Sequence, residues 1–309
     1  MQNTIILLQQ ILIIFLEIGL GAVAGKCKIV TNENSKVLSN LVMSVTLPCT
    51  LLASTNISGG TDTVLLMLLG FALLFTFYLV CTGLCLALSK VTHMSKGRKA
   101  VLIGTGVMPN SAFIGIPLCT ALLGESWGTV YAAAGIMAYN ILFFTYVTRL
   151  FQPDQKFSIR SFITPTNITT AIMVVMLLLG IRFPAPLQTF VSAVGNCTTP
   201  LALMIVGVML AGSNLADLVK KPFLYLITGL RCILFPLLFI FILWLLPLDR
   251  TMCMGISILA SCPSGSLAAV LARQYDMEGE LASQSVAQST LFSIVSITAL
   301  LSLAQILFG

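Results

Sequence analysis

Gly104 to Gly124 read GTGVMPNSAFIGIPLCTALLG. The stretch is apolar enough to be a membrane helix, yet Pro109, Asn110, Ser111, Gly115 and Pro117 lie in its middle. Proline donates no backbone hydrogen bond and clashes with the preceding turn. Glycine loosens a helix further. Lipid cannot satisfy the polar groups freed at such a break, so it persists only where protein buries it or it lines a wet cavity. The residues expected to interrupt this helix are Gly115 and Pro117, and Asn110 beside them adds two donors and an acceptor. This is where a solute site is expected.

The surrounding composition supports a membrane setting. Of 309 residues, 58% are hydrophobic and 8% are charged. Soluble domains carry about a quarter charged residues, so this chain cannot cover itself with a solvated surface. The net charge of +6 is spread over separate loops, which points away from nucleic acid. The nine cysteines are scattered through apolar segments and read as small buried hydrophobes. Cys81 and Cys85 share a helix face, where packing is the simpler reading; no metal site or cofactor is expected.

A bilayer-spanning helix needs ~20 apolar residues. Ten such stretches are legible, near 4–25, 37–57, 63–89, 99–123, 127–150, 165–182, 186–212, 222–246, 251–273 and 281–306. Thirteen Lys and Arg fall in one alternating set of connections, and only Arg182 and Arg250 in the other. The positive-inside rule makes the first set cytoplasmic. Both termini are then expected outside, which an even number of spans allows. Lys26 and Lys28 follow the first apolar run rather than precede it, so that run reads as a retained helix and not a signal peptide.

The halves resemble each other. Residues 1–151 and 165–309 would each hold five spans, with 152–164 as a polar cytoplasmic linker. Pro48 and Pro200 are 152 positions apart (200 − 48), and Pro109 and Pro263 are 154 apart (263 − 109). Five spans per half turn the second half upside down. Paired interruptions in inverted halves are the best sequence pointer to a transporter site. The expected fold class is therefore an all-α membrane protein of ten transmembrane helices in two inverted five-helix repeats. The broken fourth and ninth helices would cross, the ninth at Pro263 and Gly265.

At such a crossing, free N–H groups favour anions and free carbonyls favour cations. Asn110, Ser111, Ser261, Ser264 and Ser266 would add neutral hydrogen bonds, unless the serines bond back to their own helices. Two charges lie deep in spans, Glu17 about 12 Å and Arg231 about 14 Å from the nearer ends. Each costs ~2.5–3.5 kcal/mol to insert, which makes function the default reading. Arg231 could complement an anionic solute or cap the carbonyls of a broken helix. Glu17 could carry a proton in the transport cycle, or the two could form a buried pair. Asn140, in AYNILFF, is a further candidate. There is no HExxH, GxSxG or P-loop motif, so the chain does not read as an enzyme.

Four stretches together resemble the auxin efflux carrier family. They are TLPCTLLAS (Thr46–Ser54), NSAFIGIPL (Asn110–Leu118), GLRCILFP (Gly229–Pro236) and PSGSLAAVLARQYD (Pro263–Asp276). That family includes PIN-like auxin carriers and bacterial permeases for malate and other carboxylates, and the resemblance runs over essentially the whole chain. It implies the ten-span inverted repeat, a scaffold and a transport part, and a substrate site at the crossing. Pro117 resembles the crossover proline, Asn110 the polar residue next to substrate, Arg231 the family's eighth-span arginine, and Asn140 a fifth-span polar residue. Plant carriers have a second proline where this chain has Ala268, so the ninth span is expected to break at Pro263 and Gly265 or to bend less. The substrate-binding residues expected are thus Asn110, Ser111, Pro117, Asn140, Arg231, Ser264 and Gly265. The expected function is secondary transport of small organic anions, mono- or dicarboxylates, across the cell membrane, with the lipid bilayer and a second copy of the chain as partners. The alternative is a cation-coupled carrier of the related bile-acid or sodium/proton type.

Overall fold

The computed structural model describes residues 2–56, 60–152, 163–212 and 218–308. Among these the chain is helical throughout, and the only β-type pairing is one isolated bridge. The linker expected at 152–164 falls mostly outside the described residues.

In chain order, α1 is Gln2–Lys26 and α2 runs Asn32–Leu41, a π turn Val42–Thr46, then Leu47–Ala53. Next come α3 (Gly60–Val91), α4 (Lys96–Gly106), α5 (Ser111–Leu123) and α6 (Glu125–Phe151). They are followed by α7 (Pro165–Leu179), α8 (Ala185–Gly195), α9 (Thr198–Ala211) and α10 (Pro222–Trp244). The last are α11 (Arg250–Ser261), α12 (Ser266–Gln274) and α13 (Gly279–Phe308). Seven continuous helical stretches among the described residues are long and apolar enough to cross a membrane: those in α1, α2, α3, α6, α8 with α9, α10 and α13. α5 and α7 are apolar but shorter.

Local chemistry accounts for many of the boundaries. Thr31, Ser95, Thr164 and Asp249 sit at N-caps, where each side chain accepts from the N–H three residues on. Gly180 ends α7 in the left-handed conformation, which glycine adopts without a Cβ penalty. Three prolines follow a π turn by two residues: Pro48 after Val42–Thr46, Pro117 after Ser111–Gly115 and Pro236 after Leu230–Leu234. A proline leaves the carbonyl four residues back without its donor. The wider turn rewinds the helix ahead of that gap, as in Leu47 N–H to Val42 O and Phe235 N–H to Leu230 O. Pro200 instead lies in the first turn of α9, where its missing N–H has no helical partner to lose. Pro48 and Pro200 occupy matching sequence offsets but are accommodated by different backbone devices.

The chain divides into two compact units. One comprises Met1–Phe71, Ala112–Ala134 and Arg160–Gly212, the other Ala72–Ser111, Gly135–Ile159 and Ser213–Gly309. Each is assembled from non-contiguous stretches drawn from both sides of the linker.

In the first unit α1 packs along α9, and α2 packs on α7, α8 and α9. The α1–α9 contact is backbone to backbone. A Cβ on Gly207 would come 1.9 Å from Ile18 O, and one on Gly21 would come 2.1 Å from Met204 O. Small residues of this kind let membrane helices approach closely and gain dispersion contacts that lipid cannot match. Val42, Ala202 and Ile205 form a buried cluster there, with Leu38, Phe113 and Leu201 packed around it. Thr50 Oγ1 ties α2 to the end of α8 and the start of α9, bonding Gly195 O at 3.0 Å and lying 2.8 Å from Thr198 Oγ1.

In the second unit α13 is the central post, contacted by α4, α10, α11 and α12. Phe77 of α3 stacks on Phe239 of α10, with ring centroids 4.4 Å apart. α4 lies against α12, where Ala268 meets Gly104; a Cβ on Gly104 would come 2.9 Å from the Ala268 methyl.

Candidate functional site

The second unit holds the two helix interruptions. α4 ends at Gly106 and helix resumes at Ser111, so the break is Val107–Asn110, around Pro109. α11 ends at Ser261 and α12 begins at Ser266, so its break is Cys262–Gly265. Gly115 and Pro117 do not interrupt the helix as expected. Gly115 closes a π turn with ordinary right-handed angles, and Pro117 sits just inside the α-helical run that follows. The correction has a simple cause: the π turn absorbs Pro117, whereas Pro109 sits where the chain leaves helical geometry altogether. At the other break, Pro263 and Gly265 do lie in the interruption, with Ala268 inside α12.

The two breaks cross and pair. Pro109 and Ser264 form an antiparallel bridge. Asn110 N–H donates to Pro263 O at 2.8 Å, and Gly265 N–H donates to Met108 O at 2.9 Å. Ser264 N–H donates to Ser289 Oγ of α13 at 3.2 Å. Each interruption thereby supplies hydrogen-bond partners for the other. Gly265 is required by that closeness, because a Cβ there would lie 2.9 Å from Pro109 O.

Arg231 supplies the remaining partners. It lies in the π turn of α10 and is 0% exposed. Its Nε donates to Cys262 O at 2.8 Å and its Nη1 to Val107 O at 3.1 Å. Its Nη2 donates to Ala260 O at 2.9 Å and Leu259 O at 3.4 Å. These are the closing carbonyls of α4 and α11, where a helix carries partial negative charge. One guanidinium thus caps two helix C-termini. Its planar fork of donors suits the task; a lysine's single nitrogen would not reach the same set.

Burying the guanidinium is tolerable only because these dipoles replace water. None of the four bonds ends on a carboxylate, so the charge is solvated but not neutralised. Ion pairs lie elsewhere, as at Arg98–Glu278 and Lys221–Glu280.

Asn110 is buried in the bridge segment and Ser111 opens α5. Ser264 is fully buried at the bridge. The hydroxyls of Ser111 and Ser264 have no hydrogen-bond partner among the described residues. Ser261 bonds back to Ser257 O at 2.7 Å, the intrahelical alternative weighed for these serines. Asn140, in α6, is half-buried and belongs to the same unit as the crossing.

Gly115, Pro117 and Glu17 belong to the other unit. Glu17 is half-buried on α1, and its Oε2 has no hydrogen-bond partner among the described residues. No cysteine is in a disulfide; Cys81 and Cys85 are buried in α3 as packing residues, whereas Cys27 and Cys197 are exposed, not buried as expected.

Two residues near the crossing went unnoticed in the sequence. Ser289 receives the Ser264 amide. Tyr78 of α3 is 0% exposed, and its hydroxyl has no hydrogen-bond partner among the described residues. A tyrosine in mid-span was the available signal, since a buried phenol normally finds a partner. Ser289 gave none, being one serine among many in α13.

A search of curated proteins gave no match. The family model described as membrane transport protein matches residues 6–161 and again residues 154–301, so that nearly the whole chain is covered. With two broken helices crossing in a chain of apolar helices, and this match from end to end, the chain belongs to the membrane transport protein family, that of the auxin efflux carriers.

Proposed function

We propose that this member of the family is a secondary transporter that moves small organic anions, mono- or dicarboxylates, across the cell membrane by alternating access. On this reading ten spans form two inverted five-helix repeats, 1–151 and 165–309, with both termini extracytoplasmic. The observation that carries the proposal is the crossing itself: two interrupted helices meeting through the Pro109–Ser264 bridge. Matched interruptions of this kind are where inverted-repeat transporters hold their solute.

The charge at the crossing supports an anion. Arg231 brings a buried positive charge, and Asn110, Ser111 and Ser264 bring neutral polar groups. Proton or sodium coupling through the crossing would need an acidic side chain, and neither break, Val107–Asn110 nor Cys262–Gly265, carries one. Glu17 is the proposed proton-coupling residue on this scheme, remote in sequence from the crossing. Arg231 acts on this reading as a fixed source of positive potential while it holds the breaks together. Asn110, Asn140 and the two serines would contact the solute.

The test is flux. Purified protein in liposomes is loaded with radiolabelled malate, malonate or benzoate, and exchange is followed under pH and sodium gradients. Saturable uptake of at least one carboxylate, absent with its neutral amide, supports the proposal. Folded protein that moves none of them under any gradient refutes it. A thermal-shift panel of the same acids gives an independent reading, since a ligand that binds the folded state raises its apparent stability.

A further inference from the structure

We propose that the Tyr78 hydroxyl, together with that of Ser111, forms an oxyanion subsite that takes the carboxylate group of the transported solute. The inference rests on the organic-anion reading above and adds to it a residue from α3. Three observations within the second unit support it.

First, Tyr78 is wholly buried and Ser111 nearly so, yet neither hydroxyl has a hydrogen-bond partner among the described residues. Buried polar groups are almost always paired, so two orphans in one place call for an explanation. Second, the two hydroxyls are neighbours, and neither is taken up in a hydrogen bond of good geometry. Both are therefore still available as donors to a third group. Third, the pair lies in the field of Arg231, whose charge is met by carbonyl dipoles and by no carboxylate.

A group that suits two hydroxyl donors beside an unneutralised cation must accept hydrogen bonds at more than one position and carry negative charge. A carboxylate does both: when ionised it is acceptor-only, with two oxygens and about four lone-pair sites. A carboxamide offers one acceptor oxygen and no charge, and an ammonium would be repelled. The Tyr78 ring is held in place for this work. Its chain neighbour Phe77 stacks on Phe239, and the Phe77 and Tyr78 rings lie 5.6 Å apart.

The experiment compares wild type with Tyr78→Phe and Ser111→Ala, each as full-length protein in detergent. Dissociation constants are measured by calorimetry for malate, malonate and benzoate and for the corresponding amides, alongside the ligand-free melting temperature. Losing one hydrogen bond to a charged group should weaken carboxylate binding about tenfold or more. Amide binding, weak already, should not change. The ligand-free melting temperature of Tyr78→Phe should be unchanged or raised, because the hydroxyl removed has no partner to lose. Unaltered carboxylate affinity in both variants overturns the subsite and leaves the transport reading standing. A lowered ligand-free melting temperature in Tyr78→Phe marks the hydroxyl as structural and also overturns it. If wild type itself neither binds nor moves any of these acids, it is the organic-anion reading that fails, and the subsite with it.

Discussion

Replacing Arg231 by methionine keeps the volume of the side chain roughly constant and removes the cap on both broken helices. Three carbonyls, of Val107, Ala260 and Cys262, then lose their donor, while Leu259 O keeps the Cys262 N–H. A buried acceptor left unpaired costs about 1–3 kcal/mol, so the gross penalty for three is about 3–9 kcal/mol. Against this, the fold no longer has to desolvate a guanidinium, which returns several kcal/mol. The long Leu259 contact adds least, and the Pro109–Ser264 bridge persists, so the net loss should be about 2–5 kcal/mol. At about 2–4 °C per kcal/mol, the melting temperature should fall by about 4–20 °C. Arg231→Lys keeps the charge but offers donors from one nitrogen, so it should fall between wild type and Arg231→Met. The assay is intrinsic-fluorescence melting in detergent, with carboxylate binding measured on whatever remains folded. A methionine variant that melts within about 2 °C of wild type would refute the cap, because three buried carbonyls left without a donor cannot be that cheap.

Other outcomes follow from the same geometry. Gly207→Ala should destabilise the α1–α9 contact severely and lower expression of folded protein, since its Cβ would lie 1.9 Å from Ile18 O; Gly19→Ala, with nothing within 4 Å, is the control that should melt as wild type does. Asn110→Ala keeps the backbone bond from residue 110 to Pro263 O, so the protein should stay folded while carboxylate uptake in liposomes falls at least tenfold. Full uptake would remove the side chain from the site. Glu17→Gln should flatten the pH dependence of uptake if that carboxyl carries the coupled proton, and an unaltered pH profile eliminates the idea.

The helical character and the location of the breaks were largely written in the primary structure. Apolar stretches separated by charged turns leave helix as the only economical way to satisfy a backbone in lipid. Pro109 and Pro263 marked the right places for the interruptions, and the depth of Arg231 marked it as a residue with a special task. The reading faltered where one local device competed with another. Gly115 and Pro117 looked as disruptive as Pro109, yet the π turn at Ser111–Gly115 accommodates Pro117 within a continuing helix. A proline shows that one hydrogen bond is lost, not whether the chain answers by rewinding or by leaving helical geometry.

Most of the pairing at the crossing was beyond sequence reasoning. Sequence left open whether protein or a wet cavity meets the broken ends, and offered Arg231 as one cap; in the structure each interruption pairs with the other and Arg231 does take up the remaining carbonyls. Those contacts join positions 107–110, 231 and 259–265, brought together by packing around α13. Composition and spacing report what each segment must do with its own polar groups. Which distant segment answers that need depends on how the helices lie against one another, and only their arrangement in space could single out Arg231 as the cap and Tyr78 as the unanswered hydroxyl.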